Sequence, residues 1–207
     1  MKNSIYFFGD SFTEGHKLKG TDKIWPKLIH SCFPEYGYIN EGKGGASQLF
    51  VINQIITNLH RIKKDDIVFV LETDPIRTEV YSNKLDKVIP TTARMISNIE
   101  KYDFLPNEKK ESLVNYTYEH RYEYADKFIK FYSDIFLDFK QYFDSIGVIF
   151  NHIPYQEERW SKFESYKDVS KGVINDYHWN EKGNYDFAQH IIKQFKIVGS
   201  LNKSSYI

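Results

Sequence analysis

Five consecutive apolar residues, Ile67-Val68-Phe69-Val70-Leu71, stand between the charged pair Asp65-Asp66 and Glu72. A strand sends alternate side chains to opposite faces. An unbroken apolar run of this length therefore predicts a strand buried on both sides, the environment of a parallel sheet covered by helices. Ser4-Ile5-Tyr6-Phe7-Phe8 has the same character and stops abruptly at Gly9-Asp10. Shorter strands are expected at Tyr36 to Asn40 and at Gly147 to Phe150. Helical spacing lies between them. Thr21 to Phe33 carries Ile24, Leu28, Ile29 and Phe33 on one side, with Thr21 or Asp22 as N-cap and Pro26 in the first turn. Ser47 caps a second helix with Phe50, Val51, Gln54, Ile55 and Leu59 on one face. Glu181 to Phe195 closes the chain as an amphipathic helix. Strands alternating with helices predict an α/β fold: a three-layer αβα sandwich around a mostly parallel, flavodoxin-like sheet.

The chain has 207 residues, within the roughly 250 that one core accommodates, so a single domain is expected. No strand signal appears between Pro75 and Ser145. Residues 91–103 and 108–143 have helical character, which predicts a helical insertion at about 78–143, a lid or a subunit contact, between the third and fourth strands. Oligomeric state is left open. Lys plus Arg and Asp plus Glu number 28 each. The balance removes the basic footprint of a nucleic-acid binder. No apolar run reaches the ~18 residues of a membrane span, and the early strand leaves no room for a signal peptide, so a cytoplasmic location is expected. Cys32 is the only cysteine, which rules out an intrachain disulfide and a thiolate metal cluster. Its neighbours suggest a buried thiol.

In open α/β sheets ligands bind beyond the carboxyl ends of the strands, and the unusual residues of this chain fall there. The first strand ends in Gly9-Asp10-Ser11-Phe12-Thr13-Glu14-Gly15. A serine at a strand-to-helix turn can offer its hydroxyl where backbone N–H groups converge, although a helix N-cap reads the same way. Asn40-Glu41-Gly42-Lys43-Gly44-Gly45-Ala46-Ser47 follows the second strand. Its glycines would let backbone donors approach a developing oxyanion. A phosphate-cradling loop is the rival, but Lys43 precedes Gly44 rather than Ser or Thr, unlike a Walker loop. Asn175-Asp176-Tyr177-His178-Trp179-Asn180 precedes the last helix. A histidine with an acid two residues earlier can take a serine proton while the carboxylate holds its second nitrogen. Asp10, Glu14 and His16 lack metal-ligand spacing, so neither metal nor organic cofactor is expected.

These islands, in this order, resemble the blocks of the SGNH (GDSL) hydrolases. The resemblance implies Ser11 as nucleophile and first oxyanion donor, Gly45 as a second donor, and His178 as base. The third block of that family offers Gly-x-Asn-Asp, whereas here the strand runs into Leu71-Glu72-Thr73-Asp74. Thr73 therefore stands where an oxyanion asparagine is expected: either Thr73 substitutes, or Arg77 or another donor reaches in, or the activity is weak, and a strand-end residue capping a turn before Pro75 reads the same way. The acid lies at Asp176, two residues before the histidine, where the usual spacing points to Asn175. Only Asp176 can stabilise an imidazolium. Asp10, Arg77, Tyr177 and Trp179 are expected to line the substrate site. The implied function is a serine esterase acting on carboxylic esters, O-acetyl groups on a carbohydrate or another small ester. A polysaccharide O-acetyltransferase with the same triad and a noncatalytic glycan-binding protein are the alternatives.

Overall fold

The structure, a computed structural model, describes residues 2–75, 77–82, 87–91, 107–116, 124–155, 162, 163, 165, 166 and 176–197. In chain order its elements are β1 (Ser4–Phe8), α1 (Ser11–Glu14), α2 (Trp25–His30), β2 (Gly37–Asn40), α3 (Gln48–Asn58), β3 (Ile67–Leu71), β4 (Thr78–Ser82) and β5 (Lys87–Thr91). They continue with α4 (Asn107–Asn115), α5 (Ala125–Ser145), β6 (Ile149–Ile153), β7 (Ser165–Tyr166), β8 (Asp176–Trp179) and α6 (Glu181–Gln194).

The apolar runs behave as their composition requires. β1 and β3 are neighbours at the centre of a four-stranded parallel sheet ordered β2-β1-β3-β6. Side chains alternate between two cores. Ile5, Phe7, Ile67, Phe69 and Leu71 face one side, against Trp25, Leu28 and Ile29 of α2 and Phe187, Ala188 and Ile191 of α6. Tyr6, Phe8, Val68, Val70 and Phe150 face the other, against Val51 and Ile55 of α3 and Tyr132, Phe136 and Phe143 of α5. This is a three-layer α/β architecture. The chain leaves β1 toward β2 on one side and later enters β3 on the other. That reversal is a topological switch point, and the crevice outside the carboxyl ends of β1 and β3 is where such sheets bind ligands.

The segment expected as a helical insertion is different at its start. Residues 78–82 and 87–91 pair as an antiparallel ribbon, with Thr78 opposite Thr91 and Ser82 opposite Lys87. The β-branched and aromatic residues Thr78, Val80, Tyr81, Val88, Ile89 and Thr91 favour extended backbone, and Pro90 sits near the ribbon end, where a missing N–H is tolerated. The expected helix over 91–103 lies almost wholly outside the described residues. Helices α4 and α5 cover most of the expected 108–143 region, α4 beginning one residue before it and α5 ending two after it. α5 is no lid: its Phe136 and Phe143 are fully buried against the sheet, so it supplies a covering layer. The last strand of the sheet lies two residues later than expected, at Ile149–Ile153.

Phe69 illustrates what holds the central strands together. It is fully buried, and its ring stacks on Phe7 at 5.4 Å with an 8° interplanar angle. Trp25 meets Phe7 edge-on at 5.4 Å. Phe69→Ala removes the central ring of this group. It is expected to cost about 3–5 kcal/mol, a Tm decrease on the order of 6–20 °C for a chain this size. Thermal unfolding followed by circular dichroism measures it; an unchanged Tm contradicts this packing.

Candidate active site

Asp10 begins the site. The chain leaves β1, and Asp10 caps α1: its Oδ1 accepts from Phe12 N at 3.0 Å, while its carbonyl accepts from Thr13 N and Glu14 N at 3.0 and 2.9 Å. Its second carboxylate oxygen, Oδ2, accepts from the Arg77 guanidinium at 2.8 Å, and Asp10 has no solvent exposure. Asp10 and Arg77, expected to face substrate, therefore face each other. A carboxylate taken out of water needs such partners.

The cap places Ser11 as the first residue of α1, where amides have no intrahelical acceptor. Ser11 is 6% exposed. Its Oγ lies 2.8 Å from Nε2 of His178, which β8 carries in from the far end of the chain. With the proton on Nδ1, Nε2 is positioned to accept the serine proton. The His178 ring is itself stacked, at 3.9 Å on His16 and 5.0 Å on Phe12, each at 24°.

The loop after β2 closes the second side. Asn40 holds it to α1, donating to Thr13 O at 2.8 Å and accepting from Gly42 N at 2.9 Å. Gly42 lies so close to this turn that a Cβ there would run into the backbone of Thr13 and Glu14. Gly45 has φ +79°, a conformation that disfavours side chains. The amides of Ser11 and Gly45 donate to no acceptor among the described residues, whereas Gly44 N is committed to Glu14 Oε2 at 2.7 Å. Arg77 also donates to Ala46 O at 3.1 Å, tying this loop to Asp10.

Thr73 is fully buried at the end of β3. Its hydroxyl donates to Ala46 O at 2.8 Å, and its amide donates to Gln48 Oε1 at 3.1 Å. A hydroxyl has one proton to give, so Thr73 here braces the loop instead of presenting a donor. Beside it, the buried Glu72 accepts from Tyr155 N and pairs with His152 Nε2, both at 2.6 Å.

Trp179, expected in the substrate site, is 1% exposed and packs against Phe12 and Phe187, at 4.5 and 4.4 Å between ring centroids. It belongs to the core, because alternation along β8 turns it away from the side that carries His178. Asp176 lies in β8, but its side chain, that of Tyr177 and the whole of Asn175 lie outside the described residues. The residue pattern assigns no site role to Glu14, His16, Asn40 or Gln48. A polar residue at a strand end or in a first helical turn was the available signal, and it names no distant partner.

Compared by sequence, the chain matches no protein-family model and no curated protein. Its structure is similar to solved structures of the G-D-S-L lipolytic type. A lipolytic G-D-S-L protein from Veillonella parvula is 14% identical, with 93% of this chain and 98% of that one covered and a TM-score of 0.43. A psychrotrophic esterase from Pseudoalteromonas is 12% identical, with 94% and 97% covered and a TM-score of 0.43. An acetylxylan esterase from Geobacillus stearothermophilus, as a catalytic mutant, is 15% identical, with 99% and 100% covered and a TM-score of 0.37. Values this low carry no chemistry across, which has to come from the site itself.

Two outcomes test the site's scaffold. Arg77→Met leaves the Asp10 carboxylate buried without its cation and is expected to cost about 3 kcal/mol, read as a lowered denaturation midpoint; a wild-type midpoint contradicts the pairing. The second concerns Glu14. Burial on its own raises this carboxyl, but hydrogen bonds from Lys19 and the Gly44 amide, with the charges of Lys19 and Lys43, outweigh it and hold the group below its ordinary value. A depressed carboxyl contributes stability that is present above its unfolded pKa and lost as pH falls through the folded one. Wild type is therefore expected to lose Tm below about pH 4.3. Glu14→Gln is expected to lower Tm at neutral pH and to flatten that acid limb; superimposable Tm–pH curves for the two proteins rule this out.

Proposed function

We propose that the chain is a serine esterase in which Ser11 is the nucleophile and His178 the general base. The observation that carries this reading is the 2.8 Å contact between Ser11 Oγ and His178 Nε2, at the carboxyl end of β1 beside the switch point. Nucleophile and base within hydrogen-bond reach are the minimum geometry of such catalysis.

In the reaction, His178 Nε2 accepts the Ser11 proton as Oγ attacks the ester carbonyl carbon. The carbonyl π electrons move to oxygen, giving a tetrahedral oxyanion. The amides of Ser11 and Gly45, which donate to no acceptor among the described residues, are suited to bind that charge, and such preorganised donors supply a large share of the rate. Collapse breaks the bond to the alkoxide, which leaves with the proton held by His178, and Ser11 keeps the acyl group. Water then repeats the sequence with His178 as base, and the carboxylic acid departs. Asp176, two residues before His178, is assigned to hold Nδ1–H and to stabilise the imidazolium. The substrate class is a small carboxylic ester, with an O-acetylated carbohydrate as the favoured form from the resemblance of Asp176-Tyr177-His178-Trp179.

Turnover of p-nitrophenyl acetate by wild type, Ser11→Ala and His178→Ala tests the reading. Each substitution is expected to lower kcat at least about 10³-fold; equal rates for the three proteins sink it. A loss with Asp176→Asn but not with Asn175→Ala identifies the acid.

A further inference from the structure

Two backbone donors leave the candidate oxyanion hole without the side-chain amide that Thr73 cannot supply. Gln48, the first residue of α3, is 1% exposed, yet its side chain is polar and is bonded to Thr73. Its orientation is decided by chemistry: Thr73 N donates to it, and only the oxygen of a carboxamide accepts, so Oε1 faces Thr73 at 3.1 Å. The NH2 group is then turned away from Thr73, and it donates to no acceptor among the described residues. Burying such a group without a partner is costly.

Hydrogen bonds connect this amide to the rest of the site. Thr73, which fixes Gln48, also holds Ala46 O, the residue after Gly45. Arg77 holds the same carbonyl and, through Asp10, the turn that carries Ser11. The two backbone donors and the Gln48 carboxamide thus hang from one rigid frame.

We propose that the Gln48 NH2 is the third donor to the oxyanion, supplied by the start of α3 where a strand-end asparagine is missing, and that Thr73 positions it. The inference rests on the esterase reading above. Gln48 donates a hydrogen bond that strengthens as negative charge develops on the carbonyl oxygen. No covalent step is added, and Thr73 acts through its amide, which every residue except proline retains.

The test compares wild type, Ser11→Ala, Gln48→Ala and Gln48→Glu on p-nitrophenyl acetate, with inhibition by a small boronic acid, whose serine adduct is tetrahedral. Gln48→Glu keeps the acceptor for Thr73 N and the shape, so it decides the matter if Gln48→Ala fails to fold. The expected result is a kcat about 10²–10³-fold lower in the Gln48 variants, as for loss of one oxyanion donor. KM is expected to stay within a few-fold, and the boronate Ki to rise by a factor similar to the fall in kcat/KM. A merely structural role moves Tm but not that ratio. Ser11-dependent turnover that persists at wild-type kcat in Gln48→Glu overturns this inference alone. Turnover that does not depend on Ser11 overturns the esterase reading and this inference with it.

Discussion

The buried carboxylate of Asp10 is the interaction on which the site depends. It is fully enclosed, and an anion in that position is tolerable only because both oxygens are occupied, by Phe12 N on one side and Arg77 on the other. The first bond starts α1 and so decides where the Ser11 hydroxyl and amide stand. The second brings Arg77 against Ala46 O. One side-chain pair therefore sets the Ser11 turn and the glycine loop relative to each other.

The same economy appears at the end of β3. Glu72 and Thr73 follow a strand that is buried throughout, where any unpaired polar group is expensive. Glu72 is occupied by His152 and the Tyr155 amide, which ties β3 to β6 beyond the last sheet residue. Thr73 spends its hydroxyl on Ala46 and its amide on Gln48. Polar residues at this edge thus serve as braces between loops.

His178 arrives differently. It comes on the short strand β8 and is held from the side by rings, His16 and Phe12, as well as by Ser11. Trp179 on the next position anchors β8 in the core against Phe12 and Phe187. Phe12 touches both residues, so the residue after Ser11 also locates His178. This coupling makes the separation of Ser11 and His178 a property of core packing rather than of a loop.

Much of this was legible in the residues. Runs apolar on both faces can only be central strands, so β1, β3 and the layered α/β architecture followed from composition and period, as did α3 and α6 from spacing and caps. That Ser11, Gly45 and His178 stand at the carboxyl-end rim of the sheet was legible, because each lies where a strand or loop ends. The ribbon of residues 78–82 and 87–91 was not, because five-residue stretches give weak periodicity and Pro90 argues against a strand, and the place of α5 was not, because amphipathic spacing does not say which surface a helix covers. Tertiary structure alone decided that Asp10 and Arg77 pair with each other, that Trp179 is core, that His16 stacks on His178, and that Thr73 braces the loop and binds Gln48. Each of those is a contact between residues distant in the chain, made by the crossing of β1, β3 and β8 at one end of a sheet, and no local pattern of residue types encodes the partner of a buried polar group.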